Sequence, residues 1–439
     1  MICISKLLLP GFGTHGRRIF PLLLFSLLPL LLFAQRKDKL DRANREFTTG
    51  DYAGAIRTLQ TIKGVEGDAE ASLLLNVSRF HANDLLSAES GLLALAEREK
   101  DNYPLVWFYL GRIYHTQHRF ARAATEYKRY LRTLSDGGPE RRTVVNLLRN
   151  VDNGIRAGFV TDQMVAENMG PRVNSEYDEF GPVPSPVGSG RLYFSLVRPE
   201  IATGRVQSDI VVSRNAASGW GTPASLNDFI NTAAQESLTD ISPDGQRLYY
   251  YRGNSGTDGR YLVDTFRTND NQMVTLDAGV PISTKVGDMT PFYGAPDAVY
   301  FASTRAGGYG GLDLYRLPRL PNGRFGPPQN LGPNVNGPYD EICPFVANDG
   351  RTIYFSTNDP AHSVGGFDVV RTFRVVGADG QFTVPENAGM PLNSAGDDTH
   401  FRLASDTFTG FLASDRKDGL GKRDIYVVYF IDARAEMRF

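Results

Sequence analysis

Along the C-terminal two-thirds of the chain, apolar positions alternate with small or polar ones in short bursts. Val299-Tyr-Phe-Ala-Ser-Thr-Arg305 is the clearest of these, and its period of two is that of a half-buried strand. Gly307, Gly308, Gly310 and Gly311 then supply a tight turn, and a second strand opens at Asp313. The same strand–turn–strand phrase occurs five times. Its first strands begin at Leu192, Leu248, Val299, Ile353 and Gly410, between 51 and 57 residues apart. Its second strands are Asp209-Ile-Val-Val, Asp313-Leu-Tyr-Arg, Asp368-Val-Val-Arg and Asp424-Ile-Tyr-Val, with Tyr261-Leu-Val in the second copy. An upstream turn repeats too, as Ser242-Pro-Asp-Gly245, Ala295-Pro-Asp297 and Asn348-Asp-Gly350. Each unit holds about four short strands, the content of one propeller blade.

Residues 36–158 change period: apolar positions recur at helical spacing and the alternation stops. Trp107-x-x-Leu110-Gly111-x-x-Tyr114 is followed by Ala123-x-x-x-Tyr127, and 68 residues upstream Ala43, Tyr52 and Ala55 stand for Gly111, Phe120 and Ala123. The spacing predicts three helical pairs, a degenerate middle copy over Ser72–Arg98, and a seventh helix over Pro139–Ala157. Gly111 and Ala123 fall where paired helices cross closely and a larger side chain would push them apart.

These residues resemble two known repeats. The helical phrase matches the tetratricopeptide signature, and the strand phrase is similar to the WD40-like propeller repeat of the TolB type, over roughly residues 160–430. The fold class expected is therefore an N-terminal α-solenoid followed by a five-bladed β-propeller. Its segments are 1–35 (signal peptide), 36–158 (helical) and 159–439 (propeller). Trp107, Gly111, Tyr114, Ala123, Asp209, Asp313, Asp368 and Asp424 read as structural repeat positions, the aspartates capping turns by accepting from backbone N–H groups. By the first resemblance, the groove face of the third helical pair offers Leu105, Phe108, Arg112 and His115 to an extended partner peptide. A packed spacer is the other reading.

Glu167-Asn-Met-Gly-Pro-Arg-Val-Asn174 repeats Gln329-Asn-Leu-Gly-Pro-Asn-Val-Asn336, a phrase that ends a blade, yet it precedes the first complete blade. The last copy stops at 424–430, short of its own final strand. The segment around 162–172 is therefore expected to pair with the last blade and close the ring, removing two exposed sheet edges.

The N-terminus carries Lys6, Arg17 and Arg18 ahead of an apolar run, Ile19–Phe33, with Ala34 before Gln35. That is the pattern of a secretory signal peptide and is too short for a membrane span. Its loss takes the formal net charge from −2 to −5. With 47 basic and 49 acidic residues the whole chain lacks the basic excess of a nucleic-acid binder. Cys3 precedes the apolar run, so it is no lipidation site at the junction. Cys343 is left without a partner and reads as a small buried strand residue.

No catalytic residue, metal site or cofactor is expected. His81, His115, His118, His362 and His400 show no metal-ligand spacing, and Gly253-Asn-Ser255-Gly lacks the second glycine of a nucleophile elbow. Asp397, Asp398, Asp415 and Asp418 match no EF-hand and read as solvated turns. Arg198, Arg305 and Arg416 recur after the first strand, a repeated position that serves repeated structure. Export followed by this domain order resembles envelope proteins of the Bacteroidota group, without their OmpA-like peptidoglycan-binding domain. The resemblance implies a non-catalytic scaffold in the periplasm or at the outer membrane, not a lipoprotein, whose partners are other envelope proteins. The alternative is a solute or glycan sensor that uses the propeller's central funnel.

Overall fold

The computed structural model describes residues 27–99, 102–156, 163–199, 204–254, 258–265, 276–378 and 380–431. They fall into two compact units, drawn from 1–100 and from 101–439. The last described helix ends at Arg156 and the first strand begins at Met164, whereas the packing boundary falls earlier. The third helical pair and the seventh helix belong to the same unit as the propeller.

The first unit holds α1 (Leu27–Thr48), α2 (Tyr52–Gln60), α3 (Ala69–His81) and α4 (Leu85–Glu99). Ala43 and Ala55 are fully buried, and Leu40, Leu59, Leu74 and Leu75 form the core around them. Asp51 caps α2 by accepting from the Gly54 N–H, and Asp68 caps α3 by accepting from Ala71 N–H. Residues 1–26, which carry most of the expected signal peptide, lie outside the described residues. The described part of α1 runs unbroken through Ala34. Among the described residues no helix is long and apolar enough to cross a membrane.

The second unit opens with α5 (Leu105–Thr116), α6 (Phe120–Leu131) and α7 (Pro139–Arg156). A Cβ on Gly111 would stand 2.5 Å from the Tyr127 ring, so the small residue is what lets α5 lie on α6. Tyr127 and Ala123 are completely buried, and Trp107 lies half-buried under the Arg129 guanidinium.

Five sheets follow. Blade 1 is β2 (Asp178–Pro184), β3 (Arg191–Pro199) and β4 (Val206–Ala216), edged by β5 (Gly219–Trp220) and β6 (Ala224–Ser225). Blade 2 is β7 (Gln235–Ile241), β8 (Arg247–Gly253), β9 (Arg260–Thr265) and β10 (Leu276–Asp277). Blade 3 is β11 (Met289–Phe292), β12 (Ala298–Ser303), β13 (Asp313–Pro318) and β14 (Gln329–Asn330). Blade 4 is β15 (Glu341–Val346), β16 (Thr352–Thr357), β17 (Asp368–Phe373) and β18 (Glu386–Asn387). Blade 5 is β19 (Asp398–Leu403), β20 (Thr409–Ser414) and β21 (Asp424–Phe430), and its outer strand is β1 (Met164–Asn168) from the other end of the domain. Among the described residues the chain has seven α-helices followed in sequence by a five-bladed β-propeller. β1 pairs antiparallel with β21 from Met164 opposite Phe430 to Asn168 opposite Tyr426, so the ring closes as the repeated phrase predicts.

The repeat residues are the fasteners. Asp313 accepts from the N–H groups of Tyr309 and Gly310, Asp368 from Val364 and Gly365, and Asp424 from Leu420 and Gly421, at 2.7–3.1 Å. An asparagine on the next outer strand donates to each: Asn330, Asn387 and Asn168. Six residues on, Asn336, Asn393 and Asn174 clamp the main chain of Leu314, Val369 and Ile425. Asp209 departs from the pattern. It lies 3.9 Å from Arg198, and part of the turn before it is outside the described residues.

The same turns stitch neighbouring blades. Gly311 N–H donates to Tyr339, Gly366 N–H to Gly396 and Lys422 N–H to Tyr177, each on the next blade. Glycine is needed here for close approach, because a Cβ at Gly310, Gly365 or Gly421 would run into the carbonyl of Gly337, Ser394 or Tyr177.

Candidate central-channel site

The innermost strands β2, β7, β11, β15 and β19 pack around the ring axis. Aligned by their pairing, they share a second repeat that was not read from the sequence. It runs Glu179-Phe-Gly181-Pro, Glu236-Ser-Leu238-Thr, Asp288-Met-Thr290-Pro, Glu341-Ile-Cys343-Pro and Asp398-Thr-His400-Phe. Each strand breaks register with its neighbour at this point. The bulge turns the third residue into the left-handed region in four blades, with φ +63° at Gly181, +48° at Thr290, +55° at Cys343 and +56° at His400. Three of those four are not glycine, and Thr290 is β-branched. Such conformations persist only where the surroundings fix them, and they cluster at functional sites. The signal was legible as an acidic residue three before proline in three of the five copies.

These bulges line a cavity of about 230 Å³ to which all five inner strands contribute. Arg402, 9% exposed, crosses it: its Nη1 donates to the Pro344 carbonyl of blade 4 and its Nη2 to the Thr239 carbonyl of blade 2. The guanidinium also lies against the rings of Phe292 and Phe345, 4.8 and 5.3 Å from their centroids. Burial, with Arg423 and Arg402 nearby, pushes the His400 imidazole down to about 3. Burial pushes the Cys343 thiol up to about 12, so the thiol is neutral and slow to react.

The acidic residue that opens each repeat is buried, and the recurring arginines answer it. Arg305 makes a two-pronged bond to Asp288 at 2.6 and 2.7 Å, Arg252 pairs with Glu236 at 2.8 Å, and Arg416 pairs with Asp398 at 2.5 Å. In blade 4 the position of Arg305 and Arg416 is held by Asp359, and among the described residues Glu341 accepts from Gly337 N–H and Thr357 Oγ1. Burial raises Glu341 to about 8. Burial likewise raises Asp368 to about 8, with Asp398 adding to it, and Glu179 to about 7.

These shifts set the pH response. The folded chain holds protons on these three acids that the unfolded chain releases above its ordinary carboxyl range, so stability falls as pH rises from about 4.5 to about 8. The neutral His115 and His400, both pushed to about 3, act in the opposite sense: the unfolded chain takes up protons that the folded chain refuses, so stability also falls as pH drops below about 6.5. Glu341→Gln is expected to flatten the loss between about pH 6 and pH 8.5, by on the order of 2 kcal/mol in thermal or urea unfolding. A slope equal to wild type would remove Glu341 as its source.

The residues assigned to the helical groove have a different environment from a continuous open face. Phe108 is buried against Tyr127 and Tyr130, and His115 is 3% exposed. His115 Nε2 donates to the Val364 carbonyl at 2.7 Å and its Nδ1 faces Tyr127 Oη at 3.3 Å, which makes it the Nε2–H tautomer. From α7, Asn150 donates to the Gly365 carbonyl, and Asn153 to Pro360 and Ser363, both at 2.9 Å. The helices thus read the main chain of blade 4's Asp368 turn. Leu105 and Arg112 remain half-exposed. Each of the four aspartates read as a solvated turn is engaged: Asp397 accepts from Phe367 N–H, Asp398 from Arg416, Asp415 from Asp397 N–H and Asp418 from Tyr426 Oη–H. Among the described residues no three His, Cys, Asp or Glu side chains are grouped to hold a metal.

No protein-family model matches the sequence, and no curated protein matches it. Solved structures do. TolB from Acinetobacter baumannii is similar at 13% identity and TM-score 0.32, over 67% of this chain and 71% of that one. The endo-arabinase from Bacteroides thetaiotaomicron is similar at 11% identity and TM-score 0.40, over 60% of this chain and 95% of that one. Trypanosoma rangeli sialidase is similar at 13% and 0.32, over 62% and 48%. Likenesses of this size carry no argument about activity. The fold class rests on the five closed sheets themselves.

Proposed function

We propose that the chain is a non-catalytic adaptor of the cell envelope, exported to the periplasm or the outer membrane, that holds other proteins through its helical repeats and its propeller. The observation that carries this reading is the seam between α5–α7 and blade 4. Three side chains, His115, Asn150 and Asn153, fasten helices to a blade turn through main-chain carbonyls, so the third helical pair is held rigidly on the propeller. A composite surface of that kind meets a partner with little ordering cost. The tetratricopeptide-like phrase and the basic-then-apolar N-terminus support the partner class and the export. The same N-terminal pattern, with Cys3 ahead of the apolar run, supports a soluble exported form over a lipoprotein.

The test is a crosslinking pull-down from the native envelope with the full chain as bait. Reproducible recovery of outer-membrane or secretion components is expected. Leu105→Ala with Arg112→Glu, both on half-exposed positions, is expected to cut that recovery at least several-fold without lowering the melting temperature. Full recovery by this variant removes the groove from the reading. A small-molecule sensor is the second reading, favoured by the cavity at the ring axis.

A further inference from the structure

The channel contains a charge that the fold does not balance. Arg402 is the buried cation of blade 5's inner strand, yet among the described residues no carboxylate lies within ion-pair distance of it. Two of its N–H groups serve main-chain carbonyls, and a guanidinium has five. Asp288, which also lines the cavity, is fully used by Arg305, Ser303 and Ser283 N–H. Asp240 acts on Arg402 from further off, and burial raises its own pKa, which disfavours its charged form. A buried cation without an ion-pair partner is costly unless something completes it. The remaining wall is largely apolar, formed by Phe180, Pro182, Leu238, Met289 and Pro291.

We propose that the channel is a binding site for a small organic carboxylate, its head group on the Arg402 guanidinium and its apolar body against the bulged inner strands. The cavity of about 230 Å³ has room for about eight waters' volume, which fits a ligand of roughly ten non-hydrogen atoms. The planar carboxylate suits arginine's fork. The left-handed bulges at Thr290, Cys343 and His400 hold the wall in place, and neutral His400 leaves the Arg402 guanidinium as the cation that a carboxylate would meet. This inference stands apart from the adaptor reading, and loss of the pull-down would leave it intact.

The test uses the full chain with benzoate and hexanoate as probes and benzamide and hexanamide as their uncharged counterparts. Two readouts are taken: the thermal unfolding midpoint, and the rate at which methyl methanethiosulfonate modifies Cys343, followed on its peptide by mass spectrometry. At least one carboxylate is expected to raise the midpoint by several degrees and slow Cys343 modification severalfold, while its amide does neither. Arg402→Lys keeps the charge but loses the fork, and is expected to weaken binding about tenfold. Should that variant fail to fold, Met289→Trp, which fills the apolar part of the cavity, is expected to weaken it severalfold. Equal effects of acid and amide, no effect of either carboxylate at millimolar concentration, or binding unchanged in Met289→Trp overturns the proposal.

Discussion

Deleting residues 163–175 is expected to unfold the propeller cooperatively or to lower its melting temperature by roughly 10–20 °C, as a loss of about 5 kcal/mol does in a domain of this size. The segment is short, but it does three separate jobs. β1 pairs with β21 along five residues. Asn168 donates to Asp424 at 2.7 Å and Asn174 clamps Ile425 from both sides, at 2.8 and 2.9 Å. Val173, 3% exposed, packs in the core shared by blades 1 and 5. Without it, blade 5 loses its outer strand and its turn clamp together, and the last blade no longer holds the first. Circular dichroism melts of the full chain and the deletion decide it. An unchanged midpoint would mean that the blade-to-blade stitches and the Arg423–Asp178 pair, at 2.7 and 2.9 Å, close the ring by themselves.

Arg416→Met is the second large effect, expected to cost about 3–5 kcal/mol. Arg416 donates to Asp398, to Ser414 Oγ and to the carbonyls of Pro391 and Leu392, and lies 4.4 Å from the Tyr426 ring centroid. The Asp398 carboxylate is completely buried. Removing the cation leaves that charge with Ser394 alone. Adding Asp398→Asn is therefore expected to recover a large part of the loss, and the double-mutant cycle measures the coupling. Equal destabilisation in the single and double variants would show that Arg416 acts through packing rather than through the pair.

The two buried-acid behaviours come from one repeat. Where an arginine reaches the acid, as in blades 2, 3 and 5, the acid is paired. Where Asp359 stands at the Arg305 position, Glu341 keeps its proton towards pH 8.

The architecture was legible because it is periodic. Alternation at period two, the Asp313-type turn and the displaced copy at Glu167–Asn174 state five blades and the closing strand without any three-dimensional information. Helical spacing gave the seven helices for the same reason, and Gly111 with Ala123 marked the close crossing that Tyr127 occupies. Local backbone preferences and residue size act over a few positions, so a single chain records them. What the tertiary structure alone decided is where residues hundreds of positions apart meet. His115 was assigned to a groove by its place on α5, and it is instead turned onto Val364, 249 residues later. Nothing along the chain marks out Arg402, yet ring closure sets it across the axis between Pro344 and Thr239, where among the described residues no carboxylate lies within ion-pair distance. Periodicity specifies each blade separately, while the channel and the seam exist only after five separate blades have been brought around one axis.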